Sequence, residues 1–251
     1  MLRFFRQIRQ RLLTENKFSK YLLYAVGEIL LVVIGILIAL QVNNWNEDRI
    51  NNHDLRLMLK AVKVENQINI DQIKYKIKDA EHVRSTLIHL LANMGPDYAL
   101  KDETFIDSLF FEGLSITLFD PNKAAFFTLI ESRNLKLIKG DSLRNILLEW
   151  NSKLDRLSGI EASTFHTFKT IVLPHFYDKI SLVKIDRKYT DLNEDLPKSA
   201  FQHDNRKALI LLETENIIED HFYNLKKIQN GYNALFKDLK TVNQLIDKEL
   251  Q

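Results

Sequence analysis

The first feature of the chain is a run of apolar residues near its start. Residues 22–42 include one charged side chain, Glu28, and no proline. About 20 apolar residues are enough to cross the hydrocarbon core of a bilayer as a helix. The apolar part of a cleaved signal peptide is shorter, about 7–15 residues, and ends in small residues, whereas polar residues and Trp45 follow this run. The pattern predicts an uncleaved transmembrane anchor; a buried helix of a soluble fold and a signal peptide are the alternatives.

Helical spacing continues beyond the anchor. Apolar residues recur at steps of three and four over residues 55–94, until Gly95-Pro96 ends the pattern. The anchor is therefore expected to run directly into a long stalk helix. A second stripe, with near-heptad spacing, runs from Leu211 to Ile246. Two long amphipathic helices predict an antiparallel pair that closes a bundle, although either helix could instead pair with a copy of itself.

The middle of the chain predicts several short helices. Capping Asp, Asp-Pro and Gly-Asp are typical of helix starts, and glycine interrupts helices. Starts are indicated at Asp102, Asp120-Pro121 and Gly140-Asp141, a break at Ser158-Gly159, and a kink or break at Asn230-Gly231. Residues 181–203 are expected to form a connection, in which Val183 and Ile185 could form a short strand. The predicted fold class is all-α, with one N-terminal transmembrane helix that continues into a helical bundle with two long antiparallel helices and several short ones.

The net charge of the chain is only +2, but it is unevenly distributed. Residues 1–20 carry six basic side chains and one acidic side chain, which gives +5. Basic residues beside an apolar span mark its cytoplasmic side. This pattern predicts a cytoplasmic N-terminus and a C-terminal domain on the opposite side of the membrane. Because the basic excess belongs to this topology signal, nucleic acid is not expected as a partner.

Three segments are therefore predicted: a cytoplasmic basic tail at 1–20, a transmembrane helix at 21–45 and a helical domain outside the cytoplasm at 46–251. Tyr21 and Trp45 are expected to anchor the helix at the two membrane interfaces. In the tail, helical spacing of apolar residues predicts a short helix on the inner leaflet, and a disordered basic tail is the alternative. Its expected contacts with anionic head groups are Arg3, Arg6, Arg9 and Arg11.

Glu28 is the unusual residue of the anchor, because a charged side chain at the centre of a membrane helix costs about 2.5–3.5 kcal/mol on insertion scales. Helical spacing places it on one stripe with Tyr21, Tyr24, Gly35 and Ala39. The last two form a small-xxx-small pattern, which lets two helix backbones approach closely. The stripe predicts packing against another transmembrane helix. A carboxyl that reaches toward the inner interface is the alternative; a proton relay is disfavoured because a single span offers no pathway.

Part of this sequence is similar to a known family. Residues 4–22 are FFRQIRQRLLTENKFSKYL and residues 24–47 are YAVGEILLVVIGILIALQVNNWNE. These two segments closely resemble the start of an uncharacterised family of single-pass membrane proteins common in Bacteroidota. Residues 119–150, FDPNKAAFFTLIESRNLKLIKGDSLRNILLEW, resemble that family more loosely. The resemblance implies an inner-membrane protein with a periplasmic helical domain, and it implies no activity.

Little in the sequence is typical of a catalytic or metal site. The absence of cysteine excludes disulfides, cysteine–zinc sites and a cysteine nucleophile. Asp79-x-x-His82 is a single carboxylate–imidazole pair, whereas a di-iron bundle requires two Glu-x-x-His pairs and two further glutamates. We therefore expect no catalytic residue, metal or cofactor. Six phenylalanines are expected in the core, with a ligand pocket among them as the alternative: Phe110, Phe111, Phe126, Phe127, Phe165 and Phe168.

These observations favour a non-catalytic, membrane-anchored interaction or scaffold protein. Its expected partners are the lipid bilayer and either a second copy of the chain or another membrane protein. The alternative is a periplasmic ligand- or stress-sensing module that acts through a partner, and a small-molecule ligand stays open.

Overall fold

The computed structural model describes residues 18–191 and 195–251. The predicted inner-leaflet residues Arg3, Arg6, Arg9 and Arg11 lie outside this range. Within it, the chain forms helices and no strand, which confirms the predicted all-α class. The chain divides into two compact units, Met1–Arg56 and Leu57–Gln251.

The helices follow one another along the chain with short connections. The α-helices of the described residues are α1 (Phe18–Ala92), α2 (Glu103–Gly113), α3 (Ala124–Glu131), α4 (Asp141–Thr167), α5 (Leu173–Phe176), α6 (Leu182–Tyr189) and α7 (Leu212–Leu250). Short 3-10 turns cover Pro96–Leu100, Arg133–Leu137 and Asn205–Ile210, and a π-helical turn covers Phe168–Val172.

The long helix α1 ends where the sequence predicts. Its last residue is Ala92, and Gly95 then adopts a φ of 127°, a backbone conformation that favours glycine. The amide of Gly95 donates a hydrogen bond of 2.9 Å to the carbonyl of Leu209, which ties this turn to the 3-10 turn before α7. The expectation that one helix runs from the apolar segment into a long stalk is therefore confirmed.

Within the larger unit, α1 and α7 lie antiparallel. Lys63 of α1 forms an ion pair with Asp247 of α7, and the amide of Asn66 donates to Asn243 at 3.3 Å. Further along α1, Arg84 bonds to Gln229. Partners on α7 thus move to lower numbers as those on α1 move to higher ones. The predicted antiparallel pair is confirmed.

The core of this unit forms where α4 packs along α7 and where both long helices turn their apolar stripes inward. Fully buried aliphatic side chains include Leu59, Ile73, Leu87, Leu143, Leu147, Leu239 and Ile246. Each such side chain stabilises the fold by roughly 1.5–3 kcal/mol relative to leaving it in water. The periodic positions of the sequence therefore supply the main packing surface.

Carboxylates from the long helices hold the starts of two shorter ones. Glu65 accepts hydrogen bonds from the amides of Ala125 and Phe126, at 2.8 and 3.0 Å, in the first turn of α3. The expected start at Asp120-Pro121 is wrong, because α3 begins at Ala124 and its acceptor comes from α1. At the start of α4, the amides of Lys139 and Gly140 donate to Glu249 of α7 at 2.7 and 2.9 Å.

Two predicted glycine breaks are absent from the described helices. Ser158-Gly159 lies inside α4, and Asn230-Gly231 lies inside α7. A Cβ at residue 231 would lie 2.8 Å from Cδ1 of Leu157, so this glycine allows a close approach of α4 to α7. Packing between the helices therefore explains a residue that local propensity assigns to a break.

The suggested strand at Val183 and Ile185 is also wrong. These residues belong to α6, whose N-cap Ser181 accepts a hydrogen bond from the amide of Lys184 at 3.4 Å. Ile185 is buried while Val183 stays partly exposed, so the alternation that suggests a strand is one turn of an amphipathic helix.

Candidate functional site

The apolar run is the largest exposed apolar surface of the smaller unit. Fourteen large aliphatic side chains between Leu22 and Val42 are exposed. By length and composition, one described helix is able to cross a membrane, and none of its most apolar window is buried inside the fold. This exposure favours a membrane anchor and argues against the alternative of a buried soluble helix.

The predicted packing stripe lies on one helical face of this segment. Gly35 and Ala39 are exposed, and a Cβ built on Gly35 would meet nothing within 4 Å. Glu28 is half-buried, and Trp45 is exposed at the far end of the run. Tyr21 and Tyr24 lie in the same helix, and only their backbone is described. The backbone surface at Gly35 and Ala39 is thus accessible to another helix, and the packing itself stays a prediction.

A second exposed apolar surface, which we call the outer stripe, lies on α1 in the larger unit. Its residues are Leu57, Ala61, Val64, Ile68 and Tyr75. The four large side chains are 47–65% exposed. Sequence reasoning missed this stripe because it followed the buried face of the same helix. The signal was present, however, since apolar residues recur at steps of four, three, four and seven.

The larger unit also contains a cavity of about 440 Å³ between α1, α2 and α6. Phe110 and Phe111 line it, so two of the six phenylalanines border a hollow rather than only filling the core. Phe110 packs edge-on against Phe176, with ring centroids 5.5 Å apart, and Phe111 stacks on Tyr189 at 5.3 Å. These contacts fix the aromatic wall of the cavity.

The polar part of this cavity is acidic. Asp79, Glu112 and Asp186 line it together with His82, whose Nε2 lies 3.2 Å from Glu112. Both side chains of that pair are largely exposed, so their attraction is worth about 0–1 kcal/mol. The hydroxyl of Thr117 donates to Asp79 at 2.5 Å. Asp79 and His82 thus face separate partners and do not form a shared ligand set.

Residues 28–173, more than half of the chain, match a family of unknown function, DUF6090. The chain belongs to DUF6090. No curated protein and no solved structure matches it. The expected membership of an uncharacterised family is confirmed, and this family supplies no activity for comparison.

The DUF6090 region begins at Glu28 inside the apolar run and ends at Leu173, before α6 and α7. It contains the outer stripe and the α1 and α2 walls of the cavity. Helix α7, which forms much of the core with α4, lies beyond the matched residues.

A buried hydrogen-bond network joins the DUF6090 region to α7. Glu161 accepts from the amide of Phe119 at 2.8 Å and from the hydroxyl of Tyr232 at 2.5 Å. Burial and the neighbouring carboxylate raise the pKa of Tyr232, so its hydroxyl stays protonated as a donor. The network connects the loop before α3 to α4 and α7.

A second buried network surrounds Asp107 of α2, which is inaccessible to solvent. The amide of Asn205 donates to its Oδ1 at 2.7 Å, while Lys184 lies 3.7 Å from its Oδ2 and also pairs with Glu103. Burial would lower the pKa of Lys184, but the hydrogen bond to Glu103 and the charge of Asp107 outweigh it and raise the pKa. The charged ammonium thus offsets the buried carboxylate and holds α6 against α2.

A hydroxyl, an imidazole and a carboxylate near the start of α7 superficially resemble a catalytic triad. Nε2 of His175 lies 2.9 Å from Oγ1 of Thr214, and its Nδ1 lies 3.5 Å from Glu213. Burial, followed by the charge of Lys179, lowers the pKa of His175. The hydroxyl of Thr214 is fully buried, so a substrate carbonyl has no access to it. This arrangement therefore serves to fasten α5 to the first turn of α7.

Among residues 18–191 and 195–251, no three His, Asp or Glu side chains are grouped as metal ligands. Three surfaces in the described part of the chain are candidates for contact with a partner: the apolar run, the outer stripe and the acidic cavity.

Proposed function

We propose that this protein is a non-catalytic, membrane-anchored interaction or scaffold protein. Its apolar segment crosses the bacterial inner membrane, and its helical domain is displayed in the periplasm. The observation that carries the proposal is that no residue of the most apolar window of α1 is buried inside the fold. Transfer of the fourteen exposed aliphatic side chains from water into lipid releases a free energy on the order of 20–40 kcal/mol. This exceeds the free energy of unfolding of a typical domain.

The orientation follows from charge. The excess of five positive charges precedes the apolar run, whereas Glu47, Asp48 and Arg49 follow it and carry a net charge of −1. The positive-inside rule assigns the basic end to the cytoplasm. The resemblance to single-pass proteins of Bacteroidota supports the same topology.

The interaction role rests on the anchor stripe of Tyr24, Glu28, Gly35 and Ala39. A carboxyl group within the membrane is costly unless it is protonated, hydrogen-bonded or placed near the interface. A neighbouring transmembrane helix at this stripe would pack closely at the small residues and shield the carboxyl of Glu28 from lipid.

Two measurements test the proposal. The full-length protein should sediment with membranes and resist carbonate extraction, and protease added outside the inner membrane of spheroplasts should digest the domain at 46–251. Recovery in the soluble pool, or a domain fully protected in spheroplasts and digested only after lysis, would contradict the proposed anchor or orientation.

Capture of partners from detergent-solubilised membranes then tests the stripe. Gly35→Leu and Glu28→Leu should each reduce partner recovery by at least about fivefold, because one blocks close packing and the other removes the polar group. Val33→Leu is the matched control, since it lies on the far side of the same helix. Equal recovery with all three variants would exclude this stripe as the docking surface.

The acidic cavity favours a second function, the binding of a small ligand. A hollow of about 440 Å³ with an aromatic wall and four ionisable side chains is within the size range of small-molecule sites. Thermal-shift screening of the full chain in detergent would test it. A stabilising ligand should lose its effect in Phe111→Ala, and a stabilisation that persists in that variant would place the ligand elsewhere.

A further inference from the structure

The walls of the acidic cavity are fixed by contacts at both ends of α6. Near the start of this helix, Lys184 pairs with Glu103 of α2. At its last residue, the hydroxyl of Tyr189 donates to the carbonyl of Thr104 at 2.7 Å, and its ring stacks on Phe111. The α2 and α6 walls are therefore in place before any ligand enters, and a preorganised site loses less free energy on binding.

Most of the side chains that line the cavity are apolar. They come from different elements and include Val83 of α1, Phe111 of α2 and Ile185 of α6. An apolar body placed against such walls removes its own surface and theirs from water, which is favourable. The lining of the cavity therefore favours a ligand with an apolar body.

Charge then selects the sign of the ligand. Asp186 of α6 lines the cavity, and within residues 18–191 and 195–251 no donor or base is paired with its carboxylate. Asp79 accepts a hydrogen bond from the hydroxyl of Thr117, a neutral donor that leaves the negative charge in place. Glu112 lies against His82, and both side chains are largely exposed. The lining thus contains three carboxylates, of which that of Asp186 is available to a ligand.

The lining lacks basic side chains that would compensate these charges. In the described part of the chain, no lysine or arginine lines the cavity. Three such side chains on α1 and α6 are engaged with other groups: Arg84 with Gln229, Lys184 with Glu103 and Lys188 with the ring of Tyr189. The cavity is therefore suited to a positively charged group and disfavours an anion.

A bare metal ion is a poor match for these acids. Among the described residues, no three His, Asp or Glu side chains lie close enough together to act as metal ligands. A protonated amine requires less, since its three donors sit on one rotatable group that pairs with a single carboxylate as a point charge. Separated acids beside an apolar wall therefore favour an organic cation.

We propose that the acidic cavity binds a small organic ammonium ion with an apolar body. The inference rests on the second function proposed above, the binding of a ligand in this cavity, and specifies the class of that ligand. Asp186 lies three residues before Tyr189, so both are on one face of α6 and the carboxylate lies beside the stacked rings of Phe111 and Tyr189. The ammonium group pairs with Asp186 while the apolar body packs against Phe111.

Three probes with one carbon skeleton separate charge from shape. At neutral pH phenethylamine is a cation, phenethyl alcohol is neutral and phenylacetate is an anion. Their binding to the full chain in a non-ionic detergent is measured by isothermal titration calorimetry, with protein-free micelles as the blank. We expect phenethylamine to bind at least about fivefold more tightly than the alcohol, because its charge is attracted by the carboxylates of the cavity. Phenylacetate should bind more weakly than either, because the same carboxylates repel it.

Two variants test the parts of the wall separately. Asp186→Asn should weaken the binding of phenethylamine at least about fivefold and leave that of the alcohol unchanged, since the shape is retained and only the charge is lost. Phe111→Ala should weaken the binding of both probes, because it removes apolar surface. Asp155→Asn is the matched control, since it makes the same replacement at an exposed residue of α4, outside the cavity lining. It should leave the affinity for phenethylamine unchanged.

The results distinguish the class of ligand from ligand binding itself. Equal affinity for phenethylamine and the alcohol, or tighter binding of phenylacetate, would overturn the ammonium class and retain the cavity as a ligand site. Unchanged binding of phenethylamine in Asp186→Asn, or an equal loss in Asp155→Asn, would overturn that class as well. If none of the three probes binds, both the ammonium class and the second function are overturned. Melting temperatures verify that each variant is folded, and the three probes on the unchanged protein decide the class even where a variant unfolds.

Discussion

The sharpest stability prediction concerns His221, which is buried between α7 and the end of α2. Its ring stacks on Phe168 with centroids 5.1 Å apart, and its Nε2 lies 3.2 Å from the carbonyl oxygen of Ser115. A carbonyl only accepts, so Nε2 must carry the proton of the neutral ring. Burial lowers the pKa of His221 from 6.5 to about 4, with the hydrogen bonds to Ser115 and Gly113 opposing the shift.

The magnitude follows from this lowered pKa. In the unfolded chain the imidazole titrates near 6.5, so below that pH the unfolded state binds a proton that the folded state does not. The free energy of unfolding then falls by about 1.4 kcal/mol per pH unit until the folded pKa is reached. Between pH 7 and pH 4 the loss assigned to His221 is therefore about 3 kcal/mol. Above pH 6.5 the contribution is constant.

Denaturant unfolding of the full chain in detergent, from pH 7.5 to pH 4, measures this loss. His221→Gln is the comparison variant, because it retains a side-chain N–H donor and does not titrate. The difference in the free energy of unfolding between the wild type and this variant should shrink or reverse by about 3 kcal/mol on acidification. If the two proteins lose stability in parallel over this range, the assignment to His221 is wrong.

Three further changes test the packing. Gly231→Leu should lower the free energy of unfolding by about 1–3 kcal/mol, because the added side chain overlaps α4. The control Gly159→Leu should be neutral or slightly stabilising, because nothing lies near that position. Equal effects of the two substitutions would refute the close approach of α4 to α7. Tyr232→Phe should cost about 1–3 kcal/mol in chemical denaturation, since it removes one of the two donors to the buried Oε1 of Glu161 and leaves only the amide of Phe119; a neutral result would exclude that network. Leu87→Ala, in the core, should lower the free energy of unfolding by about 2–5 kcal/mol and lower the melting temperature. Leu100→Ala, at an exposed position, should change the free energy of unfolding by no more than about 0.5 kcal/mol. Similar losses in both variants would contradict the assigned core.

The long helices could be predicted because their information is local. From Leu55 to Met94, and again toward Ile246, apolar residues repeat with a period close to 3.6, and Gly95-Pro96 marks an end. The structure confirms both helices and their antiparallel pairing. The exposed apolar run could be predicted equally well, since its composition alone distinguishes it from the rest of the chain.

The predicted starts at Asp102 and Gly140-Asp141 are confirmed, because α2 begins at Glu103 with Asp102 as its N-cap and α4 begins at Asp141. The start of α3 was less predictable because its determinant is distant in sequence. Helix α3 begins where Glu65, some sixty residues earlier, accepts its first amides, and Asp120 plays no part in that cap. Gly231 suggests a break, yet its role depends on Leu157 of another helix. No local pattern contains such contacts, so propensity alone places these boundaries incorrectly.

The candidate surfaces also differ in how far they could be predicted from the sequence. Glu28 is conspicuous in the sequence because it stands in an apolar run, and the small residues near it share its helical face. The apolar residues of the outer stripe recur at helical spacing in the sequence, but assigning them to an exposed face rather than a buried one requires knowing where α7 lies. The acidic cavity combines residues from α1, α2 and α6, and no spacing in the sequence joins them.

The carboxylate of Glu249 has a consequence for the motion of the domain. Terminal turns of helices normally fray, and amides at such sites exchange rapidly with solvent. Here the last turn of α7 is bound to the amides of Lys139 and Gly140, so unwinding of that turn also releases the first turn of α4. These two regions, distant in sequence, are expected to exchange hydrogen at the same rate and to open as one cooperative unit.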